Sequence, residues 1–178
     1  MNRRQFIGMG LCAGAALLLP GAVLGRTVSG YSGKVLHFHH THTGERLWLV
    51  YDASGRFDGH ALDRVNYFLR DFRTGEVHDI DPALLDILCS INDTFGGAST
   101  IEVISGYRSA KTNAALRAKS TGVARRSLHM KGKAIDIRLR GVRTASLRDC
   151  ALKMRCGGVG YYPASNFVHV DTGRVRHW

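Results

Sequence analysis

A chain of 178 residues, 44% of them hydrophobic, has room for one domain with its own core. Its 25 Lys and Arg against 14 Asp and Glu give a net charge of +11, an excess that points to an anionic partner. Cys12 falls in the amino-terminal leader described next, leaving Cys89, Cys150 and Cys156. An odd number excludes a fully paired set within one chain, and the spacing excludes a zinc knuckle.

The chain opens with Arg3-Arg4-Gln5-Phe6 and continues uncharged, rich in Gly, Ala and Leu, to Pro20-Gly21-Ala22-Val23-Leu24-Gly25. Paired arginines before a Phe, then an apolar run ending in small residues, read as a twin-arginine export signal over residues 1–25, with cleavage after Gly25. The alternative is an uncleaved amino-terminal membrane anchor. Losing residues 1–25 removes two arginines and no acid, so the net charge falls from +11 to +9. A basic exported chain meets anionic cell-wall polymer or membrane surface sooner than nucleic acid. In an oxidising compartment Cys150 and Cys156 can pair, or the thiols can stay reduced as small core residues.

Residues 26–33 read as a short linker, and residues 34–178 as the domain. Val35 to His39 and Arg46 to Tyr51 flank Thr41-His42-Thr43-Gly44-Glu45, and the alternation of Leu47, Leu49 and Tyr51 predicts a β-hairpin. Its histidines, His37, His39, His40 and His42, lack a carboxylate or Cys at metal-site spacing and read as an exposed polar strand edge. Ala61, Leu62, Val65, Phe68, Leu69 and Phe72 fall at helical spacing and predict a core-facing helix from Asp58 to Phe72. Asp81-Pro82 supplies a cap and first turn for a second helix carrying Leu84, Leu85, Ile87, Leu88 and Ile91, which stops at Gly96-Gly97.

Ile101 to Ile104 reads as a buried strand that delivers Ser105-Gly106-Tyr107-Arg108-Ser109, with a helix from Ala110 to Ser120 behind it. A basic loop leads into Ser127-Leu128-His129-Met130-Lys131-Gly132, and Lys133 to Leu139 alternates so that Asp136 projects opposite Ile135, Ile137 and Leu139. Thr144 to Met154 is a third substantial helix. Gly157 to Tyr162 and Phe167 to Asp171 are short strands around Pro163-Ala164-Ser165. There is no internal repeat.

Two imidazoles and a carboxylate, His129, Asp136 and His169, make up a ligand set that a hydrolytic zinc uses with its fourth position open to water; taken alone, Ser127 to Asp136 reads first as a turn running into a buried strand. His169 and Asp171, two apart on a strand, share a face. Asp171 can then act as general base or accept the second ring N–H of a ligand histidine. Arg108, where a strand gives way to a helix, is a fixed cation suited to a developing oxyanion. Ser127 can bind a substrate carbonyl or carboxylate, or serve as a local turn hydroxyl.

Ser105-Gly106-Tyr107-Arg108-Ser109, Ser127-x-His129 with Gly132 and Asp136, Gly157-Gly158-Val159-Gly160-Tyr161-Tyr162, Asn166-Phe167-Val168-His169-Val170-Asp171-Thr172-Gly173 and Arg176-His177-Trp178 stand in this order. Together they resemble the M15-type zinc peptidoglycan peptidases, and within these the exported murein endopeptidases. The resemblance spans nearly the whole mature chain. It implies an α+β fold of the hedgehog and D-Ala-D-Ala peptidase type: an antiparallel sheet packed with helices, with the zinc site in a cleft on the sheet. It implies one Zn2+ per chain held by His129, Asp136 and His169, with Arg108 and Ser127 binding substrate. Many relatives carry an acidic base three residues before the last ligand histidine, where this chain has Asn166, and an amide cannot take the proton. Asp171 is the first replacement and His177, a neutral imidazole, the second.

The expectation is a periplasmic, monomeric zinc endopeptidase that cuts peptide cross-links of peptidoglycan, with no nucleic-acid partner and no integral membrane segment once the signal is removed. A carboxypeptidase trimming stem peptides and a non-catalytic wall-binding module are the alternatives.

Overall fold

The structure, a computed structural model, describes residues 34–51 and 59–178. The export signal and linker lie outside the described residues. Seven strands form one sheet: β1 (Lys34–His40), β2 (Arg46–Tyr51), β3 (Thr100–Ser105), β4 (Ala134–Leu139), β5 (Gly158–Tyr162), β6 (Phe167–Asp171) and β7 (Arg176–His177). Among the described residues four helices accompany it: α1 (Gly59–Phe68), α2 (Pro82–Thr94), α3 (Ala110–Lys119) and α4 (Thr144–Met154). The strand order is β2-β1-β3-β4-β6-β5-β7. Among the described residues no helix is long and apolar enough to cross a membrane.

The architecture is α+β, as expected, but the sheet is mixed rather than antiparallel: β1 pairs with β3, and β5 with β7, in parallel. Between β2 and β3 the chain forms α1 and α2, the long crossover connection that a parallel neighbour requires. The β1–β2 hairpin is antiparallel, with Phe38 opposite Leu47 and His37 opposite Trp48.

One face of the sheet carries the core. Leu36, Leu49, Ile101, Ile135 and Ile137 are fully buried against Leu84, Leu85, Leu88 and Ile91 of α2 and Leu147 of α4. Each such side chain removed from water contributes roughly 1.5–3 kcal/mol before conformational entropy is counted. The other face takes the alternate residues of the same strands, among them Asp136 and His169, which stand opposite one another on β4 and β6.

α2 begins as the sequence predicts: Asp81 accepts from the Ala83 N–H and Pro82 occupies the first turn. α1 instead stops at Phe68, short of the predicted Phe72. The reason is Asp71, 1% exposed, whose carboxylate accepts the backbone N–H groups of Arg73 (3.0 Å) and Ser109 (2.9 Å) and draws the chain into a turn. Burial alone would raise the Asp71 pKa, but its bonds to Thr112, Ser109 and Arg73 bring it down to about 2. Phe72, freed from the helix, stacks on His42 at 4.5 Å.

The hairpin histidines divide. His37 and His39 lie on the outer face, but His40 is not on an exposed edge: it is 0% exposed, packed edge-on against Phe68 and Phe72. Cys150 and Cys156 are free thiols, with Cys150 half-buried and Cys156 exposed.

Candidate metal centre

His129 arrives on a 3-10 turn, Leu128–Lys131, between β3 and β4. Gly132 closes that turn at φ 62, and a Cβ on it would collide with the Asp79 carbonyl oxygen. The Gly132 carbonyl accepts the Asp81 N–H at 2.9 Å, so the turn is fastened to the start of α2. At its other end the Arg108 N–H donates to the His129 carbonyl at 3.2 Å. The histidine is therefore held from both sides by backbone.

Three atoms converge on one point. His129 Nε2 is 3.2 Å from His169 Nδ1 and 3.3 Å from Asp136 Oδ1, and His169 Nδ1 is 2.9 Å from the same Asp136 oxygen. The far side of each ring fixes what faces inward. His129 Nδ1 is 2.8 Å from the Gly106 carbonyl, which only accepts, so Nδ1 carries the proton and Nε2 the lone pair. His169 Nε2 is 3.0 Å from Asp171 Oδ2, so Nε2–H donates there and Nδ1 is the nitrogen turned toward Asp136 Oδ1.

Two ring nitrogens and a carboxylate oxygen thus face one another in a buried place, where a shared cation, a proton or a metal ion, offsets the repulsion among them. The spacings also suit zinc: bonds of about 2.0–2.1 Å in a tetrahedron put ligand atoms about 3.3 Å apart. Among the described residues this trio is the cluster of His, Cys, Asp and Glu able to hold a metal ion.

Asp171 stands behind His169, 1% exposed. Its Oδ1 accepts from the N–H groups of Gly158 (3.0 Å) and Gly173 (2.8 Å) and from Arg176 Nη1 (3.0 Å), while Oδ2 accepts from Arg176 Nη2 (2.7 Å) as well as His169. Burial alone would raise its pKa. The bonds from His169, Arg176, Gly173 and Gly158 outweigh burial and hold the carboxyl well below the usual carboxylate range. For His169 burial works downward, but Asp136 and Asp171 raise its pKa overall.

An open cavity of about 440 Å³ fronts the trio, lined in part by Arg108, Arg126, Ser127, Tyr162, Arg176 and Trp178. The Arg108 side chain is 11% exposed, with Nη2 3.6 Å from Asp136 Oδ2 and 3.4 Å from Ser105 Oγ. Among the described residues its buried Nε has no hydrogen-bond partner. Burial lowers its pKa from the usual arginine value, and a guanidinium stays charged in a protein. Ser127 lines the cavity and makes no side-chain cap to its turn.

Two residues are elsewhere. His177 is exposed on β7, its backbone paired with Val159, and its flanking residues Arg176 and Trp178 face the cavity instead. Asn166 is an exposed turn residue at φ 53 whose Oδ1 accepts from Thr144 Oγ1 at 3.2 Å, at a separate hollow beside Arg138 and Arg143. Sequence reasoning gave no role to Arg176, Trp178 or Tyr162. Trp178 lies against Gly160, its ring centroid 5.2 Å from that of His169, and its Nε1–H donates to Tyr162 Oη at 2.8 Å. The available signal was the period of two that puts Arg176 and Trp178 on one side of a final strand.

A family model described as peptidoglycan L,D-endopeptidase MepK matches residues 28–178. The Escherichia coli K12 protein named peptidoglycan L,D-endopeptidase MepK is 41% identical over 177 residues, covering 99% of this chain and 97% of that protein. The Shigella flexneri protein of the same name shows the same figures. A Haemophilus influenzae protein named probable peptidoglycan L,D-endopeptidase MepK is 44% identical, over 99% of this chain and 95% of its own. No solved structure matches. With a family model covering most of its length and relatives aligned nearly end to end, this chain belongs to the MepK family of M15 peptidases.

Proposed function

We propose that the chain is a zinc-dependent peptidoglycan L,D-endopeptidase whose metal is held by His129 Nε2, Asp136 Oδ1 and His169 Nδ1. The convergence of two imidazole nitrogens with a carboxylate oxygen carries the reading. Zinc, when bound, supplies Lewis acidity that acidifies water and polarises a carbonyl. The relatives' names point to an amide joining an L-centre to a D-centre, within peptidoglycan.

The chain's own residues do the rest. Arg108 lies beside Asp136, its Nε unpartnered among the described residues, and would receive the negative charge that grows on the scissile carbonyl oxygen. Ser127 Oγ is free to bond a substrate carbonyl or carboxylate at the cavity wall. Arg126 and Arg176 add positive charge around an opening that anionic stem peptides enter. We assign Asp171 to holding His169: it accepts the Nε2–H, turns Nδ1 inward as the nitrogen offered to a metal and raises the ring's basicity, and is in turn held by Arg176. With five donors already on it and the imidazole between it and the cavity, it is poorly placed to take a proton from water. His177, exposed on β7, is not supported as the base either.

Residues 1–25 we read as the signal that carries the protein by the twin-arginine route to the periplasm, where residues 34–178 act as a monomeric hedgehog-type domain. Digestion of purified sacculi tests the activity. Cross-linked muropeptide dimers should disappear, stop disappearing when a chelator strips the metal, and disappear again on adding zinc. Shortened monomers with dimers intact would show a carboxypeptidase instead.

A further inference from the structure

The sheet face that carries Asp136 and His169 does not end at the cavity. Residues paired across strands share a face, and the registers lead outward in unbroken steps. Asp136 and Arg138 alternate on β4, Arg138 stands opposite Glu102 on β3, Glu102 opposite His39 on β1, and His37, two residues back, opposite Trp48 on β2. Val35 and Val50 form the next pair. The core, with α1, α2 and α4, occupies the other side of the sheet.

At the far end of this face is an apolar shelf: Trp48 is 55% exposed, Val50 54% and Val35 36%. The His37 ring meets Trp48 edge-on, centroids 6.2 Å apart, and holds the indole in place. Arg64 of α1 donates to the Trp48 carbonyl at 3.2 Å, fastening the strand beneath it. Between shelf and cavity runs a charged ladder. Glu102 takes Arg138 Nε at 2.6 Å and Arg140 Nη2 at 3.0 Å, so two cations surround one anion and the strip stays positive.

We propose that this face is a binding surface for the glycan strand of the polymer whose cross-links the cavity cleaves, with Trp48 as the platform for a sugar ring. The inference rests on peptidoglycan being the substrate. Three strand spacings separate β2 from β4, about 14 Å, within reach of a repeating polymer whose cross-link occupies the cavity. Sugar rings present an apolar C–H face that stacks on indole, and their polar edges suit the N–H and imidazole groups around it. The positive ladder complements carboxylates attached along the same polymer. A second copy of this chain is the less favoured occupant, because it would bring a like positive face.

The test is co-sedimentation with glycan strands stripped of peptide by an amidase, comparing the parent, Trp48→Ala and Trp48→Phe. The parent should bind, Trp48→Ala about tenfold more weakly, and Trp48→Phe nearer the parent. All three should cleave a soluble, glycan-free cross-linked peptide within about twofold of one another, since Trp48 is remote from the cavity. The proposal is overturned if the parent does not bind peptide-free glycan, if Trp48→Ala binds as tightly as the parent, or if sedimentation shows Trp48→Ala converting a dimer to a monomer. Failure of the parent to cleave the soluble peptide would instead count against the zinc endopeptidase reading, because glycan binding is measured without turnover.

Discussion

At the residue scale the arrangement is one of acceptors made useful by what lies behind them. Asp171 fixes the proton on His169 Nε2 through a 3.0 Å bond, and Arg176 fixes Asp171. Asp171→Asn should therefore lower zinc affinity about 10- to 100-fold, measured by chelator competition, with turnover recovering as zinc is raised. A general base would behave differently: zinc would be kept and turnover lost at every zinc concentration. Arg108→Ala should leave zinc content unchanged and lower kcat/KM about 10²- to 10³-fold. Of these proposed roles, those of the trio and Arg108 were read in the sequence from motif order and family resemblance, since spacing alone says little when His169 lies 33 residues beyond Asp136. The duty of Asp171 was only half legible. A period of two puts it beside His169, but whether it faces the water or the back of the ring depends on the ring's orientation and on Arg176, five residues on from another strand.

At the element scale the 3-10 turn Leu128–Lys131 decides whether His129 meets its partners. Gly132, at φ 62 and pressed on the Asp79 carbonyl, is its fulcrum. Gly132→Ala should cost more than about 2 kcal/mol in urea unfolding, from strain plus the clash, and weaken zinc binding with it. Gly97→Ala is the control: φ is also positive, +75, but nothing lies within 4 Å of the added carbon, so the cost should stay near about 1 kcal/mol and zinc binding should not change. The helices were readable from caps and apolar periodicity, as Asp81-Pro82 demonstrates. The end of α1 was not, because one of the two backbone donors to Asp71 comes from Ser109, 38 residues away. The parallel pairing of β1 with β3 was hidden for the same reason: local patterns mark strands but not their neighbours.

At the scale of the whole molecule, one sheet separates two environments, an oily side that holds the fold and an outer side that carries Asp136 and His169. His40 is on the oily side, and burial, reinforced by nearby His42, lowers its pKa to about 4. Its Nδ1 accepts the backbone N–H groups of His42 (3.3 Å) and Thr43 (3.4 Å), a role that protonation abolishes. The unfolded chain takes up this proton near pH 6.5 and the folded chain only near 4. Stability on this account is therefore complete above about 6.5 and falls as the pH drops toward 4, by on the order of 2–3 kcal/mol. Chemical denaturation at a series of pH values should show that fall in the parent, and His40→Leu should flatten it between pH 6.5 and 4.

The central claim is that His129, Asp136 and His169 hold one zinc that the peptidase reaction needs. Zinc content per folded chain, determined alongside the rate of cross-link cleavage for the parent and for Asp136→Ala, tests it most directly. The account predicts one zinc per chain in the parent, and in Asp136→Ala little zinc and at least about a thousandfold slower cleavage with the fold retained. A parent that cleaves without zinc, or an Asp136→Ala variant that cleaves at the parent rate, would contradict it.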